Sequence, residues 1–279
     1  MLGSVLITGA SSGIGRGCAL HMDARGWRVF AGVRSEADAA SLRSAGSARL
    51  TPVLLDVTDA QSIGAARAVV GESIGAAGLK GLVNNAGIAY GGPVEHLDLS
   101  ELRQAFEVNF FGLIAVTQAF LPLLRKGGGR LVNMSSISGM VASPFLSPYS
   151  TSKWALEALS DALRVELDPW GIRVSVIRPG AINTPIWKKG RETAARTLAG
   201  APQELAPLYG NAMDSWLAGI RPHGISVAHV ARCVEHALTS RHPRTRYQVG
   251  PQATIVDLFR RLPDRLRDAV ILLRLRKGR

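Results

Sequence analysis

Tyr149 and Lys153 stand four residues apart in the helical stretch Tyr149-Ser150-Thr151-Ser152-Lys153. An i, i+4 pair shares one helix face. Free tyrosine has a pKa of about 10 and is a poor base near neutrality. An ammonium beside it stabilises tyrosinate, and each unit of lowered pKa corresponds to about 1.4 kcal/mol. A tyrosine tuned in this way can give a proton to a carbonyl oxygen or take one from an alcohol. The spacing alone also fits an ordinary surface pair. Ser136 adds weight, because it lies thirteen positions upstream at the end of the strand-like run Leu131–Met134. A hydroxyl there would hold a substrate oxygen against Tyr149. Ser135 is the adjacent alternative.

A second chemical feature lies at the other end of the chain. Thr8-Gly9-Ala10-Ser11-Ser12-Gly13-Ile14-Gly15 follows the first apolar run and opens a helix. Glycine lets a backbone turn sharply and approach a ligand closely. The free N–H groups and dipole of a helix N-terminus favour an anion such as a pyrophosphate. Glycines alone would also fit a plain strand-to-helix turn. Their place after the first strand of an alternating chain points to a nucleotide.

The elements that must position these groups are legible as a rhythm. Apolar runs of strand length occur at Val5–Thr8, Arg28–Val33, Leu50–Leu55, Leu82–Asn84, Leu131–Met134 and Val174–Ile177, with a weaker one at Tyr247–Val249. Helix-like stretches lie between them. Short continuous apolar strands alternating with helices indicate a parallel sheet covered on both faces. The expected fold is therefore α/β: one doubly wound domain over residues 1–279 with a central parallel sheet of about seven strands. Residues 185–223 break the rhythm. They read as an insertion with one or two helices just beyond a strand end, where open α/β sheets place their ligand crevice. Its Ile186, Trp187, Leu198, Leu205, Tyr209, Met213 and Trp216, with Phe145 and Leu146, offer an apolar pocket wall suited to a lipophilic alcohol or ketone.

With Gly-x-x-x-Gly-x-Gly, Asn84-Asn85-Ala86-Gly87, Ser136, Tyr149-x-x-x-Lys153 and Pro179-Gly180, the chain resembles the short-chain dehydrogenase/reductase superfamily over roughly residues 3–250. Leu54-Leu55-Asp56-Val57-Thr58, the stretch from Ser160 to Leu167 and the stretch from Trp170 to Ser175 resemble its retinol and hydroxysteroid dehydrogenase branch. The resemblance implies a Rossmann fold and hydride transfer at a nicotinamide, with proton transfer through Tyr149. It selects Ser136 over Ser135 and adds Asn109, in a bent helix that supports a proton relay to Lys153. It also implies a cofactor surface made by Gly9, Ser11, Ser12, Gly13, Ile14 and Gly15 in the turn. Further contacts fall to Asp56 and Val57 at the adenine, to Asn85, Ala86 and Gly87 after the fourth strand, and to Tyr149 and Lys153. Pro179, Gly180, Ile182 and Thr184 run along the nicotinamide. Asn84 is expected to be structural.

The second strand ends at Val33, without the acidic residue that binds the ribose of NAD, and Arg34 follows. A guanidinium there can pair with a phosphate. The expected cofactor is NADP(H), with NAD(H) as the alternative. Rival readings are a reductase of 3-oxoacyl or other polar carbonyl compounds, and a dinucleotide-binding sensor or scaffold without catalysis. The Tyr149/Lys153 pair argues against the last.

Composition narrows the field. The 279 residues are 47% hydrophobic, enough to fill a core, and the two cysteines build neither a disulfide framework nor a zinc site. No metal is expected. No run of roughly 18 uninterrupted apolar residues suggests a membrane span, and no basic-then-apolar leader opens the chain. A cytoplasmic protein is the expectation. The formal charge is +12, and residues 260–279 hold eight Lys/Arg against two Asp/Glu. Such a concentration points to a tail property, and no nucleic-acid motif accompanies it. Residues from about 253 to 279 read as a basic helical tail with Ile255, Leu258, Phe259, Leu262 and Leu266 at helical spacing. It could pack on the body or lie peripherally on an anionic membrane. A homodimer is the expected assembly.

Overall fold

A computed structural model describes residues 2–200, 209, 212–213 and 224–276. Seven strands form one sheet: β1 (Ser4–Ile7), β2 (Arg28–Val33), β3 (Leu50–Leu54), β4 (Gly81–Asn84), β5 (Arg130–Met134), β6 (Arg173–Pro179) and β7 (Arg246–Val249). Their order is β3-β2-β1-β4-β5-β6-β7, and all six neighbouring pairs are parallel. The order reverses between β1 and β4, the switch point where doubly wound sheets open a crevice at the strand C-termini. Tyr247 and Val249, in the weakest run by sequence, are buried on the last strand, β7.

Helices cover both faces because the strands are apolar on both sides. One core packs Cys18 and Met22 of α1 (Gly13–Ala24), Leu42 of α2 (Glu36–Ala45) and Val230 and Val234 of α8 (Val227–Thr239) against the sheet. The opposite core takes Ile63 and Val70 of α3 (Ala60–Ile74) and Val116, Phe120 and Leu124 of α5 (Gly112–Gly127). Sequence-local caps start several helices. Ser35, Asp59 and Ser226 each accept a hydrogen bond from a backbone N–H in the first turn of α2, α3 and α8. Helix α1 differs, since Ser12 at its N-cap makes no side-chain cap bond.

Leu99–Gly127 is one helical run, composed of α4 (Leu99–Phe106), a π-helical turn at Glu107–Phe111 and α5. It is long and apolar enough to cross a bilayer, although the sequence shows no uninterrupted apolar stretch of that length. Its Val116, Phe120 and Leu124 are buried in the core, which accounts for that apolar face.

Helix α6 (Ser147–Glu166) packs beside β6 and presents Tyr149 and Lys153. Helix α7 (Ile186–Ala199) lies in the segment read as an insertion; most of the rest of that segment, including Leu205 and Trp216, lies outside the described residues. The tail forms two helices rather than one, α9 (Pro251–Phe259) and α10 (Asp264–Arg276). The intervening Pro263 lacks the N–H that would continue the first.

Candidate active site

The Gly-rich turn and the Ser136, Tyr149 and Lys153 group meet in one cleft of about 130 Å³ at the switch point. Gly9, Ser12, Gly13 and Ile14 line one end, and Ser136, Tyr149 and Lys153 the other. Asn85, Gly87, Pro179, Gly180, Ile182 and Thr184 lie along it. Residues that sequence separates by more than a hundred positions therefore share one surface.

The turn is built for close approach. Gly9 has φ +64°, and a Cβ on it would fall 2.7 Å from the Ala86 Cα. A Cβ on Gly15 would fall 2.2 Å from the Gly9 carbonyl oxygen, so Gly15 serves the tight turn itself. The Asn85 side chain donates to the Thr8 and Gly9 carbonyls at 2.9 and 3.1 Å. Thr8 Oγ1 accepts from the Asn85 and Ala86 N–H groups at 2.9 and 3.0 Å. These bonds tie the β4 end to the turn and hold its shape. With the α1 N-terminus lacking a side-chain cap and the Thr184 hydroxyl buried without a hydrogen-bond partner, the cleft offers donors suited to a dinucleotide.

Other expected cofactor residues stand outside this cleft lining. Ser11 is partly exposed beside the turn. Arg34 is exposed just after the β2 tip. Asp56 accepts from the Thr58 N–H and hydroxyl at 2.9 and 2.7 Å. Burial pushes its carboxyl up, but those bonds and the nearby Arg34 charge bring it below the ordinary range. Val57 is packed in the core beneath Asp56.

Ser136, Tyr149 and Lys153 are buried and interlocked. Tyr149 hydrogen-bonds Ser136. Ser136 Oγ accepts from the Ser138 N–H at 3.1 Å, which opens the short turn after β5. The Lys153 ammonium lies 5.8 Å from the Tyr149 ring centre and donates to the Met134 carbonyl at 2.9 Å. Burial holds Tyr149 above the ordinary tyrosine value, and the Ser136 bond opposes it. Burial also pulls Lys153 down to about 8, against Glu157, which favours the charged form. The lowering of Tyr149 is expected from the ammonium and a positively charged nicotinamide together; in the chain alone the dominant effect is desolvation, which disfavours both charges.

Asn109 falls in the π-helical turn and is buried. Its Oδ1 accepts from the Ile88 N–H at 2.8 Å, and its Nδ2 donates to the Ile88 carbonyl and Ser152 Oγ at 2.9 and 3.0 Å. It thereby clamps the segment after β4 to α6 directly behind Lys153. Asn84 bonds Thr117 and Asn133 at 2.9 and 3.1 Å, the structural part expected of it.

The wall beside Tyr149 is apolar. Ala89, Leu146 and Tyr149 cluster with Ile186. Phe145 has φ +62° and faces Tyr209 edge-on at 6.4 Å between ring centres. Sequence reasoning missed the Met134 carbonyl, which no side-chain pattern advertises. It also missed Glu157 and Arg178, whose one signal was a carboxylate four residues after Lys153.

A profile of the family described as short chain dehydrogenase matches residues 4–195. The chain is 43% identical to 17-beta-hydroxysteroid dehydrogenase type 6 of Bos taurus over 254 residues, covering 88% of this chain and 80% of that protein. It is 40% identical to retinol dehydrogenase 5 of Homo sapiens over 279 residues, covering 96% and 87%. A short-chain dehydrogenase from Streptomyces avermitilis superposes with a TM-score of 0.78 at 32% identity, covering 92% and 90%. One from Burkholderia cenocepacia in complex with NADP gives a TM-score of 0.76 at 26% identity, covering 97% of each chain.

Proposed function

The chain belongs to the short-chain dehydrogenase family, in its retinol and hydroxysteroid dehydrogenase-like branch, and on that premise we propose an NADP(H)-dependent enzyme that interconverts a lipophilic alcohol and its carbonyl compound. The observation that carries this reading is the continuity of one cleft from the Gly9–Gly13 turn to the Ser136, Tyr149 and Lys153 group. A nicotinamide, when bound, supplies or accepts the hydride.

The chain's own residues position the substrate and move the proton. Ser136 and Tyr149 bracket the substrate oxygen. In oxidation Tyr149 Oη takes the hydroxyl proton as the carbon gives up hydride; in reduction it returns that proton to the oxygen. Lys153 orients the ribose and brings positive charge to tyrosinate. Asn109 supports the relay behind Lys153. Gly15 and Asn85 keep the turn open, and Ser11, Asp56, Val57 and Ala86 complete the adenosine end. Arg34 takes the extra phosphate of NADP, because a guanidinium pairs well with phosphate and no acid stands at the β2 tip to repel it. The apolar wall around Ala89, Leu146 and Ile186, with the names of the relatives, supports a steroid, retinoid or similar substrate.

The same reading includes a cytoplasmic homodimer. Trp154 and Val165 are both exposed on α6, eleven residues apart and so on one face, and offer apolar surface for the pairing. It also includes peripheral contact of the tail with anionic membrane. Leu258, Leu266, Val270 and Leu273 are exposed there among arginines.

Fluorescence titration with NADPH and NADH tests the cofactor. Tighter NADPH binding that Arg34→Ser abolishes is the expected result; equal or tighter NADH binding removes Arg34 from its role. In Tyr149→Phe, binding persists while turnover of a steroid or retinoid alcohol falls by about 10²–10⁴-fold. Undiminished turnover would remove Tyr149 as the proton donor and acceptor.

A further inference from the structure

Behind Lys153 lies a charged layer that the proposed chemistry does not use. Glu157 sits one helical turn beyond Lys153 on α6 and is 7% exposed. Arg178, 5% exposed near the end of β6, grips it with both ends of its fork, Nε to Oε1 at 2.8 Å and Nη2 to Oε2 at 2.7 Å. Two buried charges cost several kcal/mol each to desolvate, so replacement by apolar side chains is often neutral or stabilising. The pair therefore needs a reason beyond holding the fold.

Its surroundings supply one. Arg178 immediately precedes Pro179 and Gly180, which line the cleft. The Glu157 stem packs against the short turn after Ser136, where a Cβ on Gly139 would fall 3.3 Å from Glu157 Cγ. Glu157 is thus in contact with the serine turn, the catalytic helix and the strand leading to the Pro179 turn. It is also the anion that favours the charged form of Lys153.

Resting on the proposed reaction, we infer that Glu157 is a positioning residue for it: a buried carboxylate that keeps the Lys153 ammonium charged and fixes α6 to the strand end carrying Pro179 and Gly180. Other ionisable groups define the environment. Tyr149 faces Lys153 from the same helix. On the far side of Glu157, Arg246 of β7 approaches Oε2 at 3.5 Å and pairs with Asp161 at 2.5 Å, and Asp161 is bonded by Arg164 at 2.6 Å. Asp257 of α9 lies within electrostatic reach of Arg178. The segment after β4 contributes Asn85 and the π-helical turn contributes Asn109, neither of which titrates. Glu157 is therefore the anion on α6 closest in sequence to Lys153, and Arg178 keeps it aimed.

Lysine Cε carbon-13 labelling of the full chain reads this without cofactor or substrate, with Lys153 assigned by the signal lost in Lys153→Arg. Glu157→Gln is expected to lower the Lys153 titration midpoint by about one pH unit, as loss of a neighbouring opposite charge does. Glu157→Asp, which keeps the charge, recovers most of it. Glu157→Gln leaves Arg178 buried and unpaired, so Glu157→Gln/Arg178→Met provides a variant without that burden. A smaller fall in the same direction is expected there, because Arg178→Met removes a cation along with the anion. An unmoved midpoint in the double variant overturns the inference, because a purely structural pair leaves Lys153 unchanged. The acid limb of alcohol oxidation should move to lower pH alongside it, since removing an anion eases deprotonation of both Lys153 and Tyr149. A shifted midpoint in a chain that oxidises no alcohol would sink the enzymatic reading and leave the role of Glu157 towards Lys153 standing.

Discussion

The floor beneath Tyr149 and the C-terminal helices both rely on arginine, to opposite effect. In the floor, Arg178 joins β6 to α6 through Glu157, with both side chains almost fully buried. In the tail, Arg260 and Arg261 pair with Asp257 at i+3 and i+4, and Arg267 pairs with Asp264 at i+3. The floor pair spans elements distant in sequence and fixes their relative position. The tail pairs connect neighbours on the helical path and leave Leu258, Leu266 and Leu273 exposed. Charge buried between elements constrains geometry; charge spread along a surface helix leaves an apolar face free to meet something else.

The largest effect that would break this contrast is on stability. Arg178→Met should cost about 3–5 kcal/mol in denaturant unfolding, because it leaves Glu157 buried without its partner. Asp257→Asn, which removes the partner of the 43% exposed Arg260, should cost about 1 kcal/mol or less. Similar losses at the two sites would erase the distinction.

A pH series sharpens it further. Burial brings Lys153 down from 10.5 to about 8 in the folded chain. The unfolded chain then binds more protons between those values, so the wild-type chain loses stability as pH falls from about 10.5 through about 8. Lys153→Met lacks that dependence. Relative to wild type it should gain about 3 kcal/mol between pH 11 and pH 7. A pH-independent difference between the two would show that burial does not govern the lysine.

The smallest stability effect belongs to the tail. Deleting residues 264–279 should change unfolding stability by about 0.5 kcal/mol or less, in the range of surface changes. The same deletion should abolish co-flotation with vesicles rich in anionic lipid. Undiminished flotation would withdraw the membrane contact.

Much of the frame was legible from local pattern. The runs at Arg28–Val33 and Leu131–Met134 became strands with nearly those bounds, because a strand buried on both faces must be continuously apolar. The spacing from Tyr149 to Lys153 translated directly into a shared helix face. The tail was less legible, since its apolar period continues past Phe259 while Pro263 ends the hydrogen-bonding pattern. Asn109 was assigned to a bent helix, but its clamp on Ile88 and Ser152 depends on a π turn that no residue type announces.

By itself, the sequence determined the order of strands and helices, the sharp turn at Gly9–Gly15 and the presence of a tyrosine–lysine pair. Each depends on residues within a few positions of one another, where steric and hydrogen-bonding preferences act directly. Only the tertiary structure decided that the Met134 carbonyl would accept a hydrogen bond from Lys153, that desolvation would raise Tyr149 while lowering Lys153, and that Arg178 would meet Glu157 across 21 positions. Burial and long-range charge depend on which elements pack together, and that is set by the whole sheet.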